Sequence, residues 1–204
     1  MKNLMSQINS HFVFNTLENM NCLAEIEWNQ SIAVMSKSLG DMLRYSIDYE
    51  EDETTLKEEV THISKYIKIQ EIRFDNAISL ELDIPDELYS HRVLKFMLQP
   101  IVENAIEHGL MGTELPWTVK IGARLKHEEL VITVKDDGAG MEPEELERIR
   151  SHIYQAGSGD DKKSDSIGLL NIHKRLQLLY SEKYGLEIES TPDRGVAVII
   201  RLPA

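Results

Sequence analysis

From Met1 to about Tyr49 apolar residues recur every three or four positions, with no proline and a single glycine, so this stretch predicts helix. Winding it at about 100° per residue gathers Met5, Phe12, Val13, Leu17, Met20, Leu23 and Ala24 on one side and Gln7, His11, Asn15, Glu18 and Glu25 on the other. The period breaks near Glu27-Trp28-Asn29-Gln30 and resumes through Ile32, Met35, Leu39, Met42 and Leu43, with Ser31 the expected N-cap. This is the pattern of a helical hairpin. Its two apolar stripes exceed what one hairpin can bury, which predicts pairing of two chains into a dimeric four-helix bundle.

The run Glu50-Glu51-Asp52-Glu53 reads as a linker, and Thr55-Leu-Lys-Glu58 as a capping box that starts a new helix running to about Phe74. Alternation then predicts a strand over Ser79–Ile84, and a helix carries Leu94, Met97, Leu98, Ile101, Val102, Ala105 and Ile106 to Gly109. Strands over Thr118–Leu125 and Leu130–Val134 flank a polar turn, which is a hairpin signal. A helix over Pro143–Tyr154, a polar loop from Gly157 to Ser166, a helix from about Leu169 to Tyr184, and strands over Leu186–Ser190 and Val196–Leu202 complete the chain. Residues 1–53 are therefore expected to form the hairpin domain. Residues 54–204 are expected to form an α/β sandwich with helices on one face of a mixed sheet.

Composition adds exclusions. With 35 acidic against 22 basic side chains the 204-residue chain carries a formal charge of -13, which disfavours nonspecific binding to nucleic acid or anionic membrane. Cys22, the single cysteine, excludes an internal disulfide or a CxxC metal site and suits a reducing compartment. No apolar run approaches the roughly 20 residues that span a bilayer, and MKNLMSQINS lacks the pattern of a signal peptide.

Four segments carry candidate chemistry. In QINSHFVFNTL, residues 7–17, His11 lies within the polar stripe and should face solvent. In QPIVENAIEHGL, residues 99–110, Asn104 and His108 share a helical face; an amide oxygen is a hard ligand for a divalent cation, and an imidazole can donate to phosphate. In VKDDGAGM, residues 134–141, Asp136 at a strand end can accept from an exocyclic amine, while Gly138 and Gly140 permit close backbone approach. In SIGLLNIHKRL, residues 166–176, Gly168 opens a helix whose amides suit phosphate. Singly, each has an ordinary structural explanation; their order and spacing together do not.

Taken jointly, these segments resemble the sensor histidine kinases, and most closely the branch whose acceptor box reads Q-I-x-P-H-F-x-F-N-x-L, here Gln7 to Leu17. QPIVENAIEHG is similar to the N box of the GHKL ATP-binding fold shared with gyrase and Hsp90, DDGAG to its first glycine box, SIGLLNIHKRL to its second, and RGVAVIIRLP to its closing strand. The resemblance implies ATP-dependent phosphorylation of His11, followed by transfer to an aspartate on the receiver domain of a response regulator. It implies Asn104 as the Mg²⁺ ligand, His108 as a phosphate contact and Asp136 as the adenine anchor. Gly138, Gly140, Gly168 and Leu169 would shape the nucleotide pocket and its lid, the loop from Gly157 to Ser166. Asn15, one turn beyond His11, is expected to hold a water for dephosphorylating the regulator. The chain should be a homodimer in the cytoplasm, tied to a membrane only through a sensor segment it does not itself contain. Ser10, Ser166, Val196 and Glu107 depart from the pattern. The alternative that Ser166 and Glu107 motivate is a degenerate kinase acting as a nucleotide-controlled dimeric interaction module.

Overall fold

The structure is a computed structural model that describes residues 10–47, 52–109, 114, 116–154 and 164–204. Met5, Gln7, Glu50 and the loop residues 157–163 lie outside that set. Two compact units emerge, one formed by residues up to Glu51 with Thr61–Asn76, the other by Asp52–Val60 with Ala77–Ala204. The change of composition falls at residues 50–53, whereas the packing units part inside a helix.

The first unit contains the hairpin, α1 (Ser10–Ile26) and α2 (Gln30–Ile47). Trp28 takes a positive φ of 55° in the connection, and Asn29 Oδ1 accepts the Ile32 amide at 3.1 Å. The N-cap is thus Asn29 and not Ser31, because the helix already begins at Gln30 and the side chain before it receives the amide of its third residue. The buried α2 residues are small, Ala33, Ser36 and Ser38, and the Ser36 hydroxyl donates to the Ile32 and Ala33 carbonyls. Larger apolar side chains are left outward: Phe12 is 67% exposed, Leu23 62%, Ile32 50% and Leu39 43%. The unit ends with the later part of α3 (Leu56–Arg73), where the Tyr45 and His62 rings stack at 4.5 Å and Lys65 pairs with Asp41 at 2.9 Å.

The second unit is built on a five-stranded mixed sheet ordered β2-β4-β5-β7-β6: β2 (Ile78–Asp83), β4 (Trp117–Lys126), β5 (Glu129–Asp136), β6 (Gly185–Ser190) and β7 (Val196–Pro203). Only β2–β4 is parallel. Register puts Ile121, Val134, Val198 and Ile188 side by side, and Ala123, Ile132, Ile200 and Leu186 beside them, making one apolar face. Helices α4 (Gln99–Gly109), α5 (Pro143–Tyr154) and α6 (Ser164–Tyr180) pack on that sheet. Positive φ at His127 and Glu128 makes the β4–β5 turn tight, in keeping with the hairpin expected from the polar turn there.

Several boundaries differ from the sequence pattern. Glu53–Thr55 (β1) and Arg92–Leu94 (β3) form an antiparallel pair, so Leu94 belongs to a strand and α4 begins only at Gln99. Helix α6 starts at Ser164 and ends at Tyr180, which puts Gly168 in its second turn instead of opening it. Gly185 begins β6 with φ 150°.

The capping box forms as its spacing dictates: Glu58 carboxylate accepts from Thr54 and Thr55, and the Glu58 amide donates to Thr55 Oγ1 at 3.3 Å. These bonds, that from Thr54 foremost, hold the Glu58 carboxyl below its ordinary value. Next to it Glu59 is fully buried and accepts the Phe96 amide at 2.7 Å and the Leu98 amide at 3.0 Å, fixing the approach to α4. Glu59→Ala strands both donors, so chemical denaturation of the full chain should show a loss of about 2–5 kcal/mol in the second unit. A loss no larger than that of an exposed surface variant would contradict this role.

Candidate nucleotide site

The site is organised by α4 and the end of β5. On α4, Asn104 and His108 are both half-buried while Glu107 is exposed. The first turn of this helix meets α6, where a Cβ at Gly168 would come within 3.3 Å of Pro100 Cβ. Its last residue meets the glycine turn, where a Cβ at Gly138 would lie 2.6 Å from Gly109 Cα. The motifs seen separately in the sequence thus converge on one helix.

Asp136 is the last residue of β5 on the apolar face, opposite Val119, and is only 5% exposed. Its Oδ1 accepts the Gly138 amide at 3.0 Å and the Val196 amide at 3.1 Å. Oδ2 receives no hydrogen bond from another described residue. Desolvation outweighs those donors and pushes the carboxyl above its ordinary 3.8. The neighbouring Asp137 has a different task, accepting the Thr118 amide at 2.7 Å to lock the start of β4.

The glycines act mainly against protein. Gly140 has φ 69°, and a Cβ there would lie 2.1 Å from the Thr191 carbonyl oxygen. Asp193 donates to the Ala139 carbonyl, Met141 to Ser190 Oγ, and Ser190 to the Gly195 carbonyl, so the 138–141 turn is bolted to the β6–β7 turn. Gly195, with φ 76°, leaves its missing Cβ 2.1 Å from the Asp136 carbonyl oxygen. Gly109, Gly195 and Glu59 are thus parts of the site's frame that motif reading did not single out; the signal for Gly195 was its place just before the last strand. Leu169 is buried beside Gly168.

His11 and Asn15 belong to the other unit, both exposed on α1, where Asn15 Nδ2 lies 3.3 Å from His11 Nδ1. Nε2 has no protein partner among the described residues. Phe12 follows His11, so no carboxylate adjoins it in sequence.

In comparisons with known proteins, residues 1–78 match the histidine kinase family, and residues 90–204 match the histidine kinase-, DNA gyrase B-, and HSP90-like ATPase family. The chain is 37% identical over 203 residues to sensor histidine kinase YesM of Bacillus subtilis strain 168, which covers 100% of this chain and 33% of that protein. It is 30% identical over 203 residues to sensor protein kinase HptS of Staphylococcus aureus strain USA300, covering 100% of this chain and 38% of HptS. The chain therefore spans about a third of the length of these curated relatives. Among solved structures, the histidine kinase domain of the Erythrobacter litoralis EL346 blue-light activated histidine kinase aligns with TM-score 0.51 at 14% identity, covering 96% of this chain and 85% of that one. The catalytic domain of histidine kinase ThkA aligns with TM-score 0.53 at 18% identity, covering 76% and 98%. These two share the fold. Among the described residues no helix is long and apolar enough to cross a membrane.

Asp136→Asn replaces an acceptor-only oxygen pair by a mixed donor and acceptor, and ATP affinity by calorimetry should fall about 5- to 150-fold, the equivalent of 1–3 kcal/mol. The same variant tests the titration. With the native pKa above the unfolded one, the folded chain holds a proton the unfolded chain releases, so stability falls as pH rises from about 3.8 through the raised native value. Asp136→Asn should flatten that part of the urea stability profile; a profile identical to the unaltered chain would refute it.

Proposed function

The chain belongs to the histidine kinase-, DNA gyrase B-, and HSP90-like ATPase family, and from that footing we propose that it is the catalytic portion of a sensor histidine kinase. In this reading it binds ATP with Mg²⁺ in the second unit, phosphorylates His11, and passes the phosphoryl group to an aspartate on a response regulator receiver domain. The observation that carries it is the Asp136 carboxylate, buried with one oxygen saturated by two amides and the other available to the exocyclic amine of adenine.

The division of labour follows from chemistry. Asn104 and His108, on the helix that ends at the glycine turn, serve the phosphate side of the nucleotide, and Gly138, Gly140, Gly168 and Leu169 form its walls. Asn104 is a single neutral ligand, so Mg²⁺ would be held by it together with phosphate oxygens and water, neutralising charge between the phosphates. His11 Nε2 attacks the γ-phosphorus in line; the N–P bond forms, the bond to the β-bridging oxygen breaks, and ADP departs. Attack needs the Nε2 lone pair, hence a proton on Nδ1, which the Asn15 carbonyl accepts when its amide is turned oxygen-first. That proton then leaves to solvent, and the same amide serves to hold a water when phosphate is removed from the regulator. The exposed apolar stripes on α1 and α2 make a homodimer through residues 1–53 part of the same reading, with residues 54–204 as the catalytic domain.

Incubation with ATP labelled in its γ-phosphate should place acid-labile, alkali-stable label on the chain, and His11→Gln should remove it. Label retained by His11→Gln would sink His11 as acceptor; nucleotide binding with no label would favour the interaction-module alternative. Sedimentation at about tens of micromolar, a range suited to a modest interface, should give a dimer that Leu23→Glu with Leu39→Glu converts to monomer. A monomeric unaltered chain would exclude the bundle.

A further inference from the structure

Trp117 is the first residue of β4 and is 1% exposed, and its indole Nε1 has no hydrogen-bond partner among the described residues. Its position is set by main chain: its amide donates to the Ala77 carbonyl at 2.8 Å, and it pairs with Ile78 in the parallel β2–β4 register. The ring lies against Gly109 so closely that a Cβ there would sit 1.9 Å from Cζ2 and 2.5 Å from Cε2. Gly109 is in turn the residue against which Gly138 rests, and a Cβ at Gly138 would also lie 3.0 Å from Asp136 Oδ1. Indole, Gly109 backbone, Gly138 backbone and Asp136 carboxylate therefore form a continuous series of contacts with no room for another methyl group at either glycine.

A rigid ring at the base of such a series fixes a distance. Close-packed interiors transmit volume changes instead of absorbing them, so the size of the side chain at 117 decides how near the end of α4, with His108 just before Gly109, comes to the Asp136 carboxylate. We infer that Trp117 is a positioning residue of the nucleotide site, the spacer that sets the separation between α4 and the adenine anchor. This rests on the nucleotide-binding reading above. It assigns a role in ligand affinity to a residue that meets the end of α4 at Gly109.

The test uses the full chain and Mg²⁺-ADP. Gly109→Ala should weaken ADP binding by about tenfold or more, and adding Trp117→Leu should recover most of that loss, because the smaller side chain vacates the volume the new methyl needs. Trp117→Leu alone should weaken ADP binding by about threefold to tenfold while far-ultraviolet dichroism shows an intact fold; Trp117→Phe replaces it if the leucine variant does not fold. The chain has two tryptophans, and the other, Trp28, is 93% exposed in the hairpin turn. In a Trp28→Phe background, ADP should therefore alter the emission of Trp117 alone. ADP affinity unchanged in folded Gly109→Ala and Trp117 variants, no recovery in the double variant, or silent emission on saturation would overturn the spacer role. If the unaltered chain fails to bind ADP, the nucleotide reading falls with it; if it binds, and only Asp136→Asn weakens binding, the spacer alone falls.

Discussion

Two backbone amides converging on one oxygen of a buried carboxylate hold the second unit's site in shape. Alternation along β5 sends Ile132, Val134 and then Asp136 to the face that the helices cover, so the strand's last inward residue is an acid where an aliphatic side chain would pack. Burial opposes its charge, and the Gly138 and Val196 amides offset part of that opposition. For those amides to arrive, the chain must pass close to Asp136 twice, at Gly138 and at Gly195, and only glycine leaves the room at both.

Helix α4 depends on the same economy of space. Its approach is held by the buried Glu59 carboxylate through the Phe96 and Leu98 amides, its first turn by the contact of Pro100 with Gly168, and its end by Gly109 between Trp117 and Gly138. A helix restrained at three places leaves Asn104 and His108 with little freedom to drift. In the hairpin the logic is reversed: small Ala33 and Ser36 are buried, and the bulky Ile32 and Leu39 are left on the outside, available for a second surface.

The local grammar was open to reading from the chain alone. Thr55 and Glu58 stand at the spacing where each satisfies the other's terminus, Pro143 begins α5, and alternation of buried and outward positions marks β4. Where two local signals competed, the choice was not legible: Ser31 and Asn29 are both good caps, and only the amide actually reached, that of Ile32, separates them. The short strands around Thr54 and Val93 escaped because three residues carry no period, and their pairing joins segments nearly forty residues apart.

The order of the longer elements, the mixed α/β character and the candidate residues His11, Asn104, His108 and Asp136 come from the amino-acid sequence, since period, turn chemistry and motif spacing are properties of neighbours along the chain. What the tertiary structure decided is why the glycines are there and what surrounds the acid. Gly109 and Gly195 look like a helix end and a turn until the indole of Trp117 and the main chain of Asp136 are found within van der Waals reach. Glu59 reads as one more surface acid beside Glu58 until its two amide donors appear from the segment before α4. Sterics and desolvation act between residues far apart in the chain, and no pattern of neighbours records which of them will meet.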